Sequence, residues 1–335
     1  MLLTVDDLSI EFGSRETPLV AVHGVDFAID RGEVLGLVGE SGSGKSLTSR
    51  AITKLITPAA RVSSGVVTFD GRDVLTMSHK ALRAFRASDV GMIFQDPFSS
   101  LNPVFRVGAQ ISETLRLNKG LDKHAARQTA IDMLERVGIP NPAQNYLSYP
   151  HELSGGMRQR IMIALATAAG PKLLVADEPT TALDVLTQKE ILQLLSEMRR
   201  DLGMAILLVS HDFGVIAQMC DRVLVMYGGR IVESGPVDEI YYRPRHPYTK
   251  GLLASVPELE SANLNRRRIP LLGQPPELGP LEPGCVFMAR CPHARPACAS
   301  VSMILEPVGA AHTSACPFEG GHDEDVDALA GAEDR

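Results

Sequence analysis

The sequence lacks the features of a membrane-spanning, exported or nucleic-acid-binding chain. Its longest apolar run, 161–176, contains Pro171 and Lys172 and is shorter than the roughly 20 residues that a membrane-spanning helix needs. The first residues, 1–7, carry no base and include two acids, unlike the basic start of a signal peptide. A net charge of −7 gives no overall attraction to nucleic acid. We therefore expect no nucleic-acid partner, and we expect any membrane role to come through partner subunits.

Cysteine is also scarce, with five residues, but four of them fall in one C-terminal window. In a chain without an export signal, clustered cysteines indicate metal or cluster ligation rather than disulfides. Cys220 stands apart in an apolar context and is predicted to be a small buried hydrophobe. The clustered residues are Cys285, Cys291, Cys298 and Cys316.

The most informative stretch that is present is 39–46, which fits the pattern G-x-x-x-x-G-K-[ST]. A strand-like apolar run precedes it and a helical pattern follows, the context in which this pattern forms a phosphate-binding loop. Glycines let backbone N–H groups approach phosphate closely, and the helix N-terminus adds positive partial charge. Lys45 is expected to reach the β- and γ-phosphates, and Ser46 to ligate Mg²⁺. The other members of this predicted nucleotide site are Gly39, Ser41, Gly42, Ser43 and Gly44.

Further polar residues follow the ends of predicted strands, where open α/β sheets bind their ligands. The apolar strand 173–177 ends in Asp177 and is followed by Glu178. We expect Asp177 to hold Mg²⁺ and Glu178 to orient and deprotonate the attacking water. Gln95 is a candidate for holding Mg²⁺ or that water, and His211 for contacting the γ-phosphate. Taken singly, each of these last two is more often a loop, cap or surface residue.

Strands that alternate with helices predict an α/β fold with a mainly parallel, doubly wound sheet. A spacing of two between apolar residues predicts a small antiparallel β subdomain at the start. Residues of about 104–160 are predicted to form an α-helical subdomain. We expect a nucleotide-binding domain to span 1–255, an irregular proline-rich extension 256–318, and a disordered acidic tail 319–335.

Three more positions are candidates for nucleotide contact. Phe12 lies at a predicted loop edge, where it is either an adenine-stacking ring or a core strand residue. Ser154 is a predicted helix N-cap whose hydroxyl, with the amides of Gly155 and Gly156, makes a second anion site. Asp184 is predicted to cap the next helix.

Over about residues 1–255, these motifs and their order along the chain resemble those of the ATP-binding cassette (ABC) ATPases. The resemblance implies that two such domains face each other head to tail. ATP then lies between the phosphate loop of one and the signature of the other, so Ser154 and Gly156 would act on nucleotide held by a partner. The matching positions are Phe12 at the adenine-stacking aromatic, 39–46 at Walker A, Gln95 at the Q-loop, 153–159 at the signature, 173–178 at Walker B, Asp184 in the D-loop and His211 at the switch histidine.

Three longer stretches, 95–103, 150–160 and 243–249, look like the oligopeptide/dipeptide importer branch of this family. That resemblance implies a motor whose ATP hydrolysis powers peptide uptake. It also implies three kinds of partner: a second, distinct ABC ATPase, two transmembrane permeases and an extracytoplasmic peptide-binding protein. The implied location is a peripheral position on the cytoplasmic face of the cell membrane. The same type of motor serves nickel chelates and other small solutes, so the cargo stays open.

Some importers of this branch carry a cluster-binding motif where the four cysteines lie. Cys291-Pro292 and Cys316-Pro317 resemble the Cys-Pro pairs beside iron–sulfur ligands, which favours a [4Fe–4S] cluster. Zinc is the second candidate, because four thiolates suit it but the usual C-x2-C spacing is absent. Free or structural thiols are the third.

The main alternative is a soluble ABC ATPase of DNA maintenance or translation. Only 109 positions separate Lys45 from Ser154, which leaves no room for a long coiled-coil insertion. The chain also has a single Walker A, where translation-type relatives carry two cassettes. A P-loop kinase or GTPase would not need the signature at 153–159.

Overall fold

The computed structural model describes most of the chain, including the whole region that carries the predicted nucleotide motifs apart from a few loop residues. The acidic tail and the first part of the extension lie outside the described residues. The residues described are 1–14, 16–96, 100–181, 183–255, 271, 273–280 and 283–318.

The predicted N-terminal β subdomain is an antiparallel sheet of four strands. The strands are β1 (Leu3–Gly13), β2 (Pro18–Ile29), β4 (Ala60–Phe69) and β5 (Arg72–Asp73), in the spatial order β2-β1-β4-β5. Apolar residues alternate along β1 and β2, so one face of this sheet is buried and the other is partly exposed.

A second sheet of eight strands forms the centre of the fold, in the order β11-β12-β10-β9-β3-β8-β7-β6. The run from β9 to β6 is parallel, and β10, β12 and β11 add antiparallel strands at one side. This confirms the predicted mainly parallel α/β sheet. The strands are β3 (Val34–Val38), β6 (Val90–Ile93), β7 (Leu173–Asp177), β8 (Ala205–Ser210), β9 (Arg222–Tyr227), β10 (Arg230–Pro236), β11 (Glu306–Gly309) and β12 (His312–Ser314).

Both faces of the parallel strands are buried, which is why they read as continuous apolar runs. Along β3, Val34 and Val38 join one core cluster, whereas Leu35 and Leu37 join another. The first cluster contains residues of most of the helices. The second contains the β subdomain and two helices. The parallel strands therefore lie between a helical layer and a β layer.

Ten α-helices are described. They are α1 (Lys45–Ile52), α2 (His79–Ser88), α3 (Val107–Lys119), α4 (Lys123–Arg136), α5 (Pro142–Asn145), α6 (Gly155–Thr167), α7 (Val185–Leu202), α8 (Phe213–Met219), α9 (Val237–Tyr242) and α10 (Pro247–Ala254). Helices α3 to α5 lie in the predicted helical subdomain, and the buried residues of α3 and α4 pack with those of α6. None of the helices described is long and apolar enough to cross a membrane.

The described part of the predicted C-terminal extension packs on the central sheet and its helices. Strand β12 pairs with β10 and so extends the central sheet, and β11 pairs with β12. Phe287 is 1% exposed and belongs to the same core cluster as the helices. The other regular segments in the described part of the extension are short 3₁₀ turns at Met288–Arg290 and Pro296–Ser300.

Candidate functional site

The predicted phosphate loop links the end of β3 to the start of α1 and is tightly packed. A Cβ on Gly39 would lie 2.1 Å from the carbonyl oxygen of Met226. Gly44 has φ +104°, and a Cβ there would lie 2.9 Å from the carbonyl oxygen of Ala21. Only glycine fits at these two positions, so the loop backbone can run close against β9 and β2 and still present its N–H groups.

Lys45 is held inside this loop. Its side chain is buried, and its Nζ donates to the carbonyl oxygens of Gly39 at 2.7 Å and Glu40 at 2.8 Å. Burial lowers the pKa of the ammonium group. The loop therefore fixes a desolvated positive charge within its own curve, where phosphate oxygens are the natural partner.

Ser46 and Asp177 come together at the ends of β3 and β7. The Ser46 hydroxyl donates to Asp177 Oδ1 at 2.9 Å. Asp177 is fully buried, burial raises its pKa, and its Oδ2 makes no hydrogen bond. Arg50 Nη2 lies 3.8 Å from that oxygen. A buried carboxylate oxygen without a hydrogen bond, beside a hydroxyl, is an oxygen donor set that suits Mg²⁺.

Glu178 adopts φ +52°, in the left-handed region that non-glycine residues rarely occupy. Its Oε2 accepts hydrogen bonds from Gln95 Nε2 at 2.9 Å and Thr181 Oγ1 at 2.8 Å. His211 Nδ1 lies 3.3 Å from its Oε1. The fold thus brings together the three residues that the sequence offered as separate strand-end candidates. Backbone strain of this kind costs on the order of 1–3 kcal/mol and clusters at active sites.

The predicted signature and D-loop residues are exposed helix caps. Ser154 Oγ accepts from the Met157 amide at 3.3 Å at the start of α6, and Asp184 Oδ1 accepts from the Thr187 amide at 3.0 Å at the start of α7. Hydrogen bonds from Thr187 lower the pKa of Asp184. Gly155 is exposed and Gly156 half-buried, and a Cβ on Gly156 would lie 3.1 Å from Thr187 Cγ2. This cap pair is available at the surface to another molecule.

Phe12 lies near the end of β1, where its backbone pairs with Leu19 and Ala60. It is half-buried and packs against the core shared with the β subdomain. Both interpretations of this residue agree with that position, because a strand-end ring can pack on one side and leave the other side open.

Four residues near the nucleotide motifs were not singled out from the sequence. Arg50 is one helical turn after Ser46 on α1, so an i, i+4 rule could have found it. Thr181 follows Glu178 by three positions. The Tyr248 hydroxyl accepts from the Glu40 amide at 2.8 Å, and Arg290 binds the Glu40 carboxylate. No local sequence signal connects these last two with the loop.

The four clustered cysteines line one cavity of about 20 Å³, together with His246 and His293. Burial raises the pKa of the Cys285, Cys291 and Cys316 thiols, and all four cysteines are free. Within the described ranges, no group of three or more His, Cys, Asp or Glu side chains is arranged to hold a metal ion. The structure thus places the thiols together without forming a single-ion site. Cys220 lies elsewhere and is buried, as expected.

Comparison with known proteins gives two family matches along the chain. Residues 22–181 match the family model described as ABC transporter, and residues 232–298 match that of the oligopeptide/dipeptide transporter, C-terminal region. The second match covers most of β10, the strand that pairs with β12, and three of the four clustered cysteines.

Similar proteins are found among bacterial transport ATP-binding proteins. The chain is 49% identical to the oligopeptide transport ATP-binding protein OppD of Bacillus subtilis, over 88% of this chain and 82% of that protein. It is 46% identical to the dipeptide transport ATP-binding protein DppD of the same organism, over 89% and 88%.

Two solved structures illustrate the shared fold. The ATP-binding cassette MJ0796, in a dimeric post-hydrolysis state bound to ADP and Pi, gives a TM-score of 0.64 at 25% identity, over 70% of this chain and 99% of that chain. The protein cbiO1 from Clostridium perfringens, part of an ABC transporter complex, gives 0.62 at 31% identity, over 72% and 91%.

Proposed function

We propose that this chain, which belongs to the ATP-binding subunits of ABC transporters, is the motor of a peptide importer. Membership of this family makes the chain an ATPase. The observation that carries the peptide assignment is the match of 232–298 to the C-terminal region of oligopeptide and dipeptide transporters. Identity of 44–49% to proteins named for oligopeptide, dipeptide or peptide transport supports it over nearly the full chain.

For the hydrolytic step, we assign roles to the residues brought together at the strand ends. Glu178 is the base that orients and deprotonates water, because its carboxylate is fixed by Thr181 and Gln95. His211, beside the other carboxylate oxygen, contacts the γ-phosphate, and Lys45 holds the β- and γ-phosphates. Ser46 and Asp177, with Gln95, are the expected ligands of Mg²⁺, which neutralises charge that develops on the phosphates.

We further propose that ATP is bound between two ATPase subunits, one of them a related but distinct chain. The support is that Ser154, Gly155 and Asp184 are exposed at helix starts, with Gly156 half-buried beside them, and helix N-termini attract anions. The test mixes the Glu178→Gln variant of this chain, which prevents turnover, with each ABC ATPase of its cell in the presence of ATP. With the right partner, gel filtration should show a complex of twice the subunit mass that contains both chains. A complex that contains only this chain would contradict the heterodimer and indicate a homodimer.

The partners follow from this assignment: two permeases, reached from the cytoplasmic face, and a peptide-binding protein outside the membrane. The test is purification of the tagged chain from native membranes in mild detergent, with mass spectrometry of what accompanies it. Co-purification of a second ABC ATPase and two permeases is the expected result. A chain that comes with ribosomes or DNA, and with no permease, would retain the ATPase and refute the transport role.

The cargo is tested in cells. A deletion strain complemented with the wild-type chain should take up a labelled tripeptide, and complementation with Glu178→Gln should not. Uptake of labelled nickel that depends on the chain, without peptide uptake, would select the alternative of the same motor for another small solute.

We also propose that the four clustered cysteines hold a [4Fe–4S] cluster, with Zn²⁺ as the alternative. Two observations support a bound group: four thiols share one cavity, and His246 Nε2 in its wall is buried without a hydrogen-bond partner. The cavity has room for about one water molecule, so a bound group must widen it. Four thiolates are the ligand number of a [4Fe–4S] cluster.

Anaerobic purification, an absorbance spectrum and metal analysis decide between these. Brown protein with about four irons per chain is the expected result. Colourless protein with one zinc selects the alternative, and metal-free protein refutes the site. Cys298→Ser, which removes the most buried of the four thiols, should lower the metal content, whereas Cys220→Ser should not change it.

A further inference from the structure

The second residue of the phosphate loop, Glu40, is bound at each of its polar groups. Its backbone N–H donates to the Tyr248 hydroxyl, and its carbonyl oxygen accepts from Lys45 Nζ. Its carboxylate accepts two hydrogen bonds from Arg290, at Oε2 from Nη1 at 2.6 Å and at Oε1 from Nη2 at 3.0 Å. Two of these three partners come from beyond the parallel strands of the ATPase domain.

The Arg290 side chain is itself held on several sides. It is 6% exposed, its guanidinium lies 5.6 Å from the centre of the Tyr227 ring, and Nη1 is 3.3 Å from the Tyr227 hydroxyl. Nη2 also lies 3.4 Å from the carbonyl oxygen of Leu271. A two-pronged pair between arginine and carboxylate fixes orientation as well as distance, and lysine cannot reproduce it.

The ion pair between Arg290 and Glu40 lies beside a cluster of buried aromatic rings. Tyr227 and Tyr248 lie 4.5 Å apart between ring centres, and Phe287 stands at 5.2 Å from Tyr227 and 5.5 Å from Tyr248. Tyr227 ends β9, Tyr248 lies in α10, and Phe287 adjoins the 3₁₀ segment that carries Arg290. The extension therefore reaches the phosphate loop through a packed rather than a mobile contact.

We propose that Arg290 is a positioning residue for ATP: it fixes Glu40 so that the phosphate loop is already shaped for phosphate. A loop shaped before binding spares the cost of ordering it when the ligand arrives. The same pair neutralises a carboxylate that would otherwise place a negative charge in a loop that receives a polyanion. The proposal rests on the proposed ATP binding and not on the cargo.

The test is the affinity of the full-length chain for MgATP, measured with a fluorescent ATP analogue and by competition. Arg290→Gln should raise Kd and KM for ATP about tenfold, with kcat at saturation within about threefold of wild type. Arg290→Lys should fall between the two, because it keeps the charge and loses the fork. Arg136→Gln breaks an exposed ion pair with Asp201 and should leave Kd unchanged.

A double-mutant cycle with Glu40→Gln separates the pair from the general loss of an arginine. If the two residues act through each other, the double variant should bind ATP no more weakly than Arg290→Gln alone. The proposal is overturned if Arg290→Gln lowers the unfolding temperature but leaves Kd and KM within about twofold of wild type, since that marks a purely structural contact. Should Arg290→Gln fail to fold, Arg290→Lys and Glu40→Gln are judged by the same measurement.

Discussion

Replacement of Glu178 by glutamine should stop hydrolysis and preserve ATP binding. The amide oxygen of glutamine can still accept from Gln95 and Thr181, which both donate to Oε2 in the native chain. The side chain should therefore keep its place, and the loss is confined to a group that can take a proton. A positioned general base contributes about 10²–10⁴ in rate, which corresponds to about 3–5 kcal/mol of barrier.

The assay is phosphate release at saturating MgATP beside nucleotide affinity by fluorescence. We expect kcat to fall at least about 100-fold while Kd for ATP changes less than about threefold. Glu197→Gln on the exposed side of α7 is the matched control and should match wild type in both. Hydrolysis by Glu178→Gln within about threefold of wild type would refute Glu178 as the base, and the strained backbone at this residue would need another explanation.

Two further outcomes follow from the site and from the extension. Lys45→Ala should raise Kd for ATP at least about 100-fold in the same binding assay. The reason is that it removes two or more expected charge-assisted phosphate contacts as well as the hydrogen bonds to Gly39 and Glu40. An unchanged Kd would show that Lys45 does not contact the phosphates. Burial lowers the pKa of His246 to about 4 from 6.5, so the unfolded chain binds a proton through this window that the folded chain does not. Stability should therefore fall by up to about 3 kcal/mol as pH drops from about 6.5 to about 4. His246→Asn keeps a side-chain acceptor at the helix N-cap and should reduce the pH dependence of the free energy of unfolding, measured with denaturant over that range. The exposed His124→Asn control should keep the wild-type pH dependence. Equal pH dependence in the two variants would contradict the assignment to His246.

The sequence was sufficient for the fold class and for the set of strand-end residues. Periodicity and strand–helix alternation are local, and they predicted the parallel core and the caps at Ser154 and Asp184. The approach of Gln95 and His211 to Glu178 also follows from topology, since β6, β7 and β8 are neighbours in the sheet and their ends meet at one edge. The nucleotide roles of these residues stay predictions.

What the sequence could not supply is contact between distant, irregular segments. Arg290 and Glu40 are 250 positions apart, and neither stands in a periodic pattern that points to the other. The pairing of β12 with β10 could not be predicted for the same reason, because β12 is short and lies in a proline-rich stretch. The left-handed backbone at Glu178 is equally invisible, because a glutamate gives no local signal for a positive φ.

The long separation between Glu40 and Arg290 has a consequence for how the protein is made. A ribosome that adds about 5–20 residues each second needs about 12–50 s to travel from one to the other. During that time the emerging chain carries a phosphate loop whose Glu40 has not met its arginine, and a central sheet without β11 and β12. The phosphate loop is thus synthesised early, whereas its contact with Arg290 forms late, so a chain that ends before Arg290 should bind ATP more weakly.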